Sequence, residues 1–131
     1  MKKPDWREWI EDKGACQEWL NHYLKTKVLR PSKDEAKLHL KKTDHNLNIA
    51  NWLVEKHQEE IPKLFGKEAF YDWVITMHYY SIYHAALALV SREGYASKGH
   101  SPTLCFLIYH HYHLQKKLKE EEIELIAHSL E

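Results

Sequence analysis

Four glycines and four prolines are all that punctuate 131 residues. Short strands need turn residues every few positions, so a chain with so few must be built from long elements, and a many-stranded β fold is excluded. The apolar pattern agrees. Trp6, Trp9, Ile10, Cys16, Trp19, Leu20, Tyr23 and Leu24 fall at helical spacing, with one phase carried across Gly14. This predicts a first helix that ends near Leu29-Arg30-Pro31, since proline disfavours a helical residue before it. Ser32 and Glu35 are spaced as a capping box for a second helix, which carries Ala36, Leu40, Leu47, Ala50, Leu53 and Val54 to about His57. Residues 58–66, with Pro62, read as a connection. A third helix over 67–92 is apolar or aromatic on nearly every side and is expected at the centre of a bundle. Gly94 stops it, residues 94–99 form a loop, and Ser101-Pro102 suits the start of a fourth helix, serine as N-cap and proline at N1, running to about Leu118. An acidic segment, 120–130, closes the chain as a helix with Ile123, Ile126, Ala127 and Leu130 on one face. The expected fold is all-α: an up-and-down antiparallel bundle of four to five helices (32–131), with an extra N-terminal helix (1–30), in one compact domain.

Charge and cysteine usage narrow the function classes. Nineteen basic and nineteen acidic residues cancel, so no global field holds nucleic acid or an anionic membrane. Locally, seven basic residues lie between Lys25 and Lys42, against Asp34 and Glu35, and five glutamates lie in 120–131. Such runs serve either as solvated faces or as partner-binding patches. Residues 73–90 hold no Asp, Glu, Lys or Arg, close to a membrane-spanning length. However, His78, Tyr79, Tyr80, Ser81, Tyr83 and His84 lie within it and are easier to satisfy inside protein than in lipid. No membrane partner is expected. Cys16 and Cys105 form no CxxC pair, and the amino terminus reads as no signal peptide, which together favour a cytoplasmic setting.

Histidine is over-represented, at 11 positions. His110 and His113 lie one turn apart on a helix, but nothing completes a three- or four-ligand zinc set. Exposed polar residues on an amphipathic helix are the simpler reading, and no metal or cofactor is expected. Tyr80 and His84, one turn apart, either line a site or pack the core.

The stretch from His78 to Val90, followed by Glu93-Gly94-Tyr95 and Lys98-Gly99-His100-Ser101, carries the pattern YYxxYHAAxALxxxxGY…KxHS. It resembles the HEPN family (higher eukaryotes and prokaryotes nucleotide-binding domains), in its small prokaryotic branch. The resemblance spans roughly residues 32–130 and includes the upstream spacing of Ala36, Leu40, Asn46-Leu47, Ala50 and Leu53-Val54. It implies a helical bundle, commonly a homodimer, that binds RNA or nucleotide and works with a minimal nucleotidyltransferase partner in a toxin–antitoxin-like system. Active members are metal-independent endoribonucleases with an Arg-x(4–6)-His motif. Here the matching pair is Arg92 and His100, with seven residues between them, one more than that motif allows. In such a pair histidine serves as general acid or base and arginine stabilises charge on the phosphorane. Tyr80, His84, Lys98 and Ser101 are the expected phosphate- or nucleotide-binding residues, Lys98 and Ser101 beside the free N–H groups of the fourth helix. The alternative is a non-catalytic helical module that presents its helices to a protein partner.

Overall fold

A computed structural model describes residues 3–130. Met1 and Lys2 of the amino-terminal stretch, and Glu131 of the acidic end, lie outside them. The fold is an all-α bundle with seven α-helices and a two-stranded ribbon among the described residues: α1 (Trp6–Glu11), α2 (Lys13–Lys25), β1 (Leu29–Pro31), α3 (Ala36–Lys56), α4 (Glu60–Phe65), α5 (Tyr71–Arg92), β2 (Tyr95–Ser97), α6 (His100–Leu107) and α7 (Glu120–Ser129). Helix α6 runs on into a π-helical turn, Ile108–Leu114. None of these helices is long and apolar enough to cross a membrane.

The expected single first helix is two helices, because two aspartates each claim a start. The Asp5 carboxylate accepts the Arg7 N–H at 3.0 Å. Asp12 is extended (φ −130°, ψ 101°) and its carboxylate accepts the Ala15 N–H at 3.2 Å. An aspartate that bonds the backbone ahead of it is a cap and breaks the run.

The capping box at Ser32 does not form. Antiparallel pairing of β1 with β2 sets Leu29 against Ser97 and Pro31 against Tyr95, and the Ser32 N–H donates to the Gly94 carbonyl at 2.8 Å. That ladder keeps Ser32 extended. Helix α3 starts four residues later, where the Asp34 carboxylate accepts the Ala36 N–H and the Ser91 hydroxyl accepts the Glu35 N–H. The ribbon also replaces the loop expected over 94–99. With three residues per strand, it is too short to show alternation.

Three further boundaries move. The connection over 58–66 contains α4, whose Ile61 is buried. Helix α5 starts at Tyr71, where the His57 ring accepts the Phe70 N–H at 2.9 Å and stacks on Tyr71 at 4.1 Å. Helix α6 starts at His100 with Gly99 as N-cap, so Ser101 and Pro102 stand inside its first turn. That turn is tied by the Thr103 hydroxyl, which donates to the Gly99 carbonyl at 2.6 Å.

The core joins both ends of the chain. Trp9, Ile10, Cys16, Leu20 and Tyr23 from α1 and α2 pack with Ala86 and Val90 of α5, Leu104 to Ile108, and Ile123 and Ala127 of α7. The Cys16 and Cys105 thiols are buried and 4.0 Å apart as free groups. The most buried helix is α6, in which every residue from Pro102 to Leu107 is enclosed, rather than α5 as its composition suggests. Helix α5 packs chiefly along α3 and also meets α6, α7 and β2. Its amino half joins α3 and α4 in a helical hairpin, which meets the body where Thr76, Tyr79 and Tyr80 stand against Ser129 and Leu130.

Candidate functional site

The seam between α3 and α5 is lined with small or polar side chains. Ala36 and Ala50 are the buried residues of α3, and the Ser81 hydroxyl faces the Thr43 carbonyl at 3.2 Å. His84 belongs to this seam. Its ring stacks on His39 of α3 (centroids 5.9 Å apart, planes 23° apart), and the Nδ1 atoms of both are buried without a hydrogen-bond partner. Burial lowers both pKa values, and Lys42 lowers them further.

Tyr80 lies one turn before His84 on the same side of α5. With Thr76, Tyr79, Tyr83, His100, Ser129 and Leu130 it lines a hollow of ≈ 250 Å³. His100 is fixed there twice: its Nδ1 lies 2.8 Å from the Leu130 carbonyl, and its ring meets Tyr83 edge-on at 4.7 Å. A carbonyl only accepts, so the Nδ1 proton of His100 is the donor in this bond. Burial raises the Tyr83 phenol, against a hydrogen bond with Thr103. Ser101, in the same helical turn as His100, bonds towards Tyr23, whose phenol is pushed up to about 12, chiefly by burial. Lys98 is exposed, and its backbone N–H donates to the Val28 carbonyl at 2.9 Å.

Arg92 lies elsewhere. It is nine residues beyond Tyr83 on α5, about 13 Å further along the axis. It lines one hollow with Lys33, Asp34, Glu35 and Lys37, and a second with Leu89, Glu93, His111, Lys117 and Leu118. Within one chain Tyr80 and His100 thus come together, His84 adjoins them through Tyr83 (ring centroids 5.9 Å apart) while stacking on His39, and Arg92 stands apart.

The histidine run is resolved by the π-helical turn, whose wider pitch breaks the one-turn spacing of His110 and His113. His113 Nε2 reaches the Trp9 carbonyl at 2.6 Å, and His110 packs against Phe106 at 4.3 Å with its pKa lowered by burial. His111 between them turns inward to Glu93, at 3.7 Å. Regular helical spacing gives no sign of this residue; a π-turn becomes visible only in the backbone.

The largest surface feature is the hairpin itself. Trp52, Leu53 and Lys56 of α3, Ile61, Leu64 and Phe65 of α4, and Phe70, Trp73 and Met77 near the start of α5 surround an open apolar groove of ≈ 720 Å³. Further exposed apolar side chains on the hairpin include Leu40, Val54, Tyr71 and Ile75. The sequence held one overlooked signal: Leu64 and Phe65 are unusual residues for a plain connection.

No family model matches this chain, and no match is found among curated proteins or solved structures.

Proposed function

We propose that this protein is a helical binding subunit of the HEPN type that works by pairing its α3–α5 hairpin with a second copy of itself. One observation carries the proposal. Among the described residues, every large hydrophobic side chain left exposed, except Leu114 and Leu125, lies between Leu38 and Tyr80. Of these, Trp52, Leu64, Phe65 and Trp73 share the apolar groove; an exposed apolar patch of this kind marks an interaction site, and aromatic residues are enriched at the centres of interfaces. A second copy suits it because the same face offers both the groove and the aromatic side chains to fill one, as a two-fold interface requires. Its rim carries Lys56 and Glu60, so two-fold pairing can set opposite charges against each other.

Light scattering at micromolar concentration should give twice the chain mass for the wild type. Trp73→Glu should give the single-chain mass with unchanged far-UV circular dichroism. A wild type that stays monomeric would refute self-pairing. Capture of a nucleotidyltransferase-domain protein by that monomer would assign the face to the other partner the resemblance implies.

RNA or nucleotide binding is the second reading, favoured by the grouping of Lys33, Lys37, Arg92 and Lys117 around the carboxyl end of α5. Because Arg92 and His100 open on separate hollows, we propose binding without cleavage by a single protomer; metal-independent cleavage by this pair needs residues from two. Unstructured RNA without added metal should bind the wild type, bind more weakly to Arg92→Ala, and be left uncut by wild type, Arg92→Ala and His100→Ala. Equal binding by all three rejects this reading, and cleavage that is lost in His100→Ala restores the catalytic one.

A further inference from the structure

His111 is 5 % exposed, and its Nε2 has no hydrogen-bond partner. A buried polar nitrogen left unpaired costs about 1–3 kcal/mol, so a folded core that keeps one has a reason to. The imidazole lines a hollow of ≈ 330 Å³ with Leu89, Arg92, Glu93, Lys117 and Leu118. The Glu93 Oε1 stands 3.7 Å from Nε2, and the same oxygen accepts a hydrogen bond from the Gln115 amide at 3.1 Å. The chain then folds back over the ring: the N–H groups of Lys117 and Leu118 both donate to the His111 carbonyl, at 2.8 and 3.0 Å, through a left-handed Lys116 (φ 54°). That turn sets Lys117 in the wall, across from Arg92 at the end of α5.

These groups select by charge. Two permanent cations oppose a bare divalent metal, although Glu93 and His111 alone would attract one. A fully deprotonated tetrahedral anion such as sulfate suits Arg92 and Lys117 but meets the Glu93 carboxylate with no proton to offer. An oxyanion that retains one proton satisfies every group. Its charged oxygens take Arg92 and Lys117, and its hydroxyl donates to Glu93, which His111 and Gln115 hold in place from the other side. Burial lowers the His111 pKa ahead of the opposing pull of Glu93, which keeps the ring an uncharged hydrogen-bonding group near neutral pH.

We infer that this hollow binds inorganic phosphate, which keeps at least one proton near neutral pH, and discriminates against sulfate. A phosphodiester carries no such hydroxyl; Arg92 and Lys117 are shared with the RNA reading above, and Glu93 is the group that tells the two ligands apart.

Calorimetric titration of the full chain near neutral pH, at fixed ionic strength, tests it with inorganic phosphate, methyl phosphate and sulfate. Phosphate should bind at least about tenfold more tightly than sulfate, and Lys117→Ala should lose at least about tenfold for phosphate. Glu93→Gln should bring the ratio of phosphate to sulfate affinity towards one. Methyl phosphate, mostly without a proton near neutral pH, should bind as weakly as sulfate, and binding as tight as phosphate's would overturn the role given to the hydroxyl. Lys117 and Glu93 are exposed, so both variants should keep the wild-type circular dichroism. Equal affinity for phosphate and sulfate, no binding of phosphate, or an unchanged Lys117→Ala would each overturn the inference.

Discussion

Phe106 and Trp73 are large aromatic residues on helices of the same chain, yet the first is 1 % exposed and the second 57 %. The body encloses its large side chains: Trp9, Phe106, Leu107, Ile108 and Ile123 are almost wholly out of water. The hairpin does the reverse. Its buried residues are mostly small, Ala36, Ala50, Val74 and Ser81, while Trp52, Leu64, Phe65 and Trp73 stand on the outside. Small residues in the seam let α3 and α5 approach closely, so the hairpin is held together without using its bulk. The self-pairing proposed above would cover the apolar side chains this leaves at the surface.

The largest effect that separates the two regions is truncation. Phe106→Ala should cost about 3–5 kcal/mol in urea unfolding, the usual loss for a buried aromatic. Leu64→Ala, at a position 70 % exposed, should stay within about 0.5 kcal/mol at concentrations where the chain is a single protomer. Comparable losses would erase the distinction. Next, Trp52→Ala should weaken self-association by about 2 kcal/mol in sedimentation equilibrium, as an interface anchor does. A dissociation constant equal to the wild type's would move the interface elsewhere. Within the body, Asp12→Ala should cost about 1 kcal/mol by removing the cap that starts α2; no loss would mean that packing alone sets that boundary.

Acid should sharpen the comparison further. His39 and His84 in the seam, like His110 and His111 in the body, have folded pKa values below their ordinary value. The unfolded chain therefore binds more protons in the window beneath about 6.5, and stability falls as pH drops through it. Glu35, which faces His39, opposes this, while Lys42 adds to it for both seam histidines. Replacing the seam pair (His39→Leu with His84→Leu) should flatten the dependence of the urea midpoint on pH and leave the share due to the body. An unchanged slope would place the whole effect in the body.

The sequence made the long elements legible because helical spacing is redundant: α3, α5 and α7 each repeat their apolar face over several turns. It failed where one or two side chains decide. Asp12 splits a helix whose phase runs on unbroken, the ribbon draws Ser32 away from a good capping box, and a π-turn carries His111 inward. The exposure of α5 was hidden for another reason. An all-round apolar helix signals burial, and sequence cannot tell burial within one chain from burial between two. The tyrosine–histidine hollow was partly visible, since Tyr80 and His100 do meet, while the separation of Arg92 depends on where along α5 the body ends.

The most direct measurement of the central claim is a distance between two copies. Cys16 and Cys105 are wholly buried, so a spin label directed to Glu55→Cys, beside Trp52 and Lys56 on the exposed surface of α3, reports on that site alone. A second label at Glu124→Cys, on the solvent side of α7, serves as the body's counterpart. Pulsed dipolar spectroscopy should give a short, narrow intermolecular distance for the hairpin label and a longer one for the body label. No dipolar modulation at either site, or a shorter distance at α7 than at α3, would contradict it.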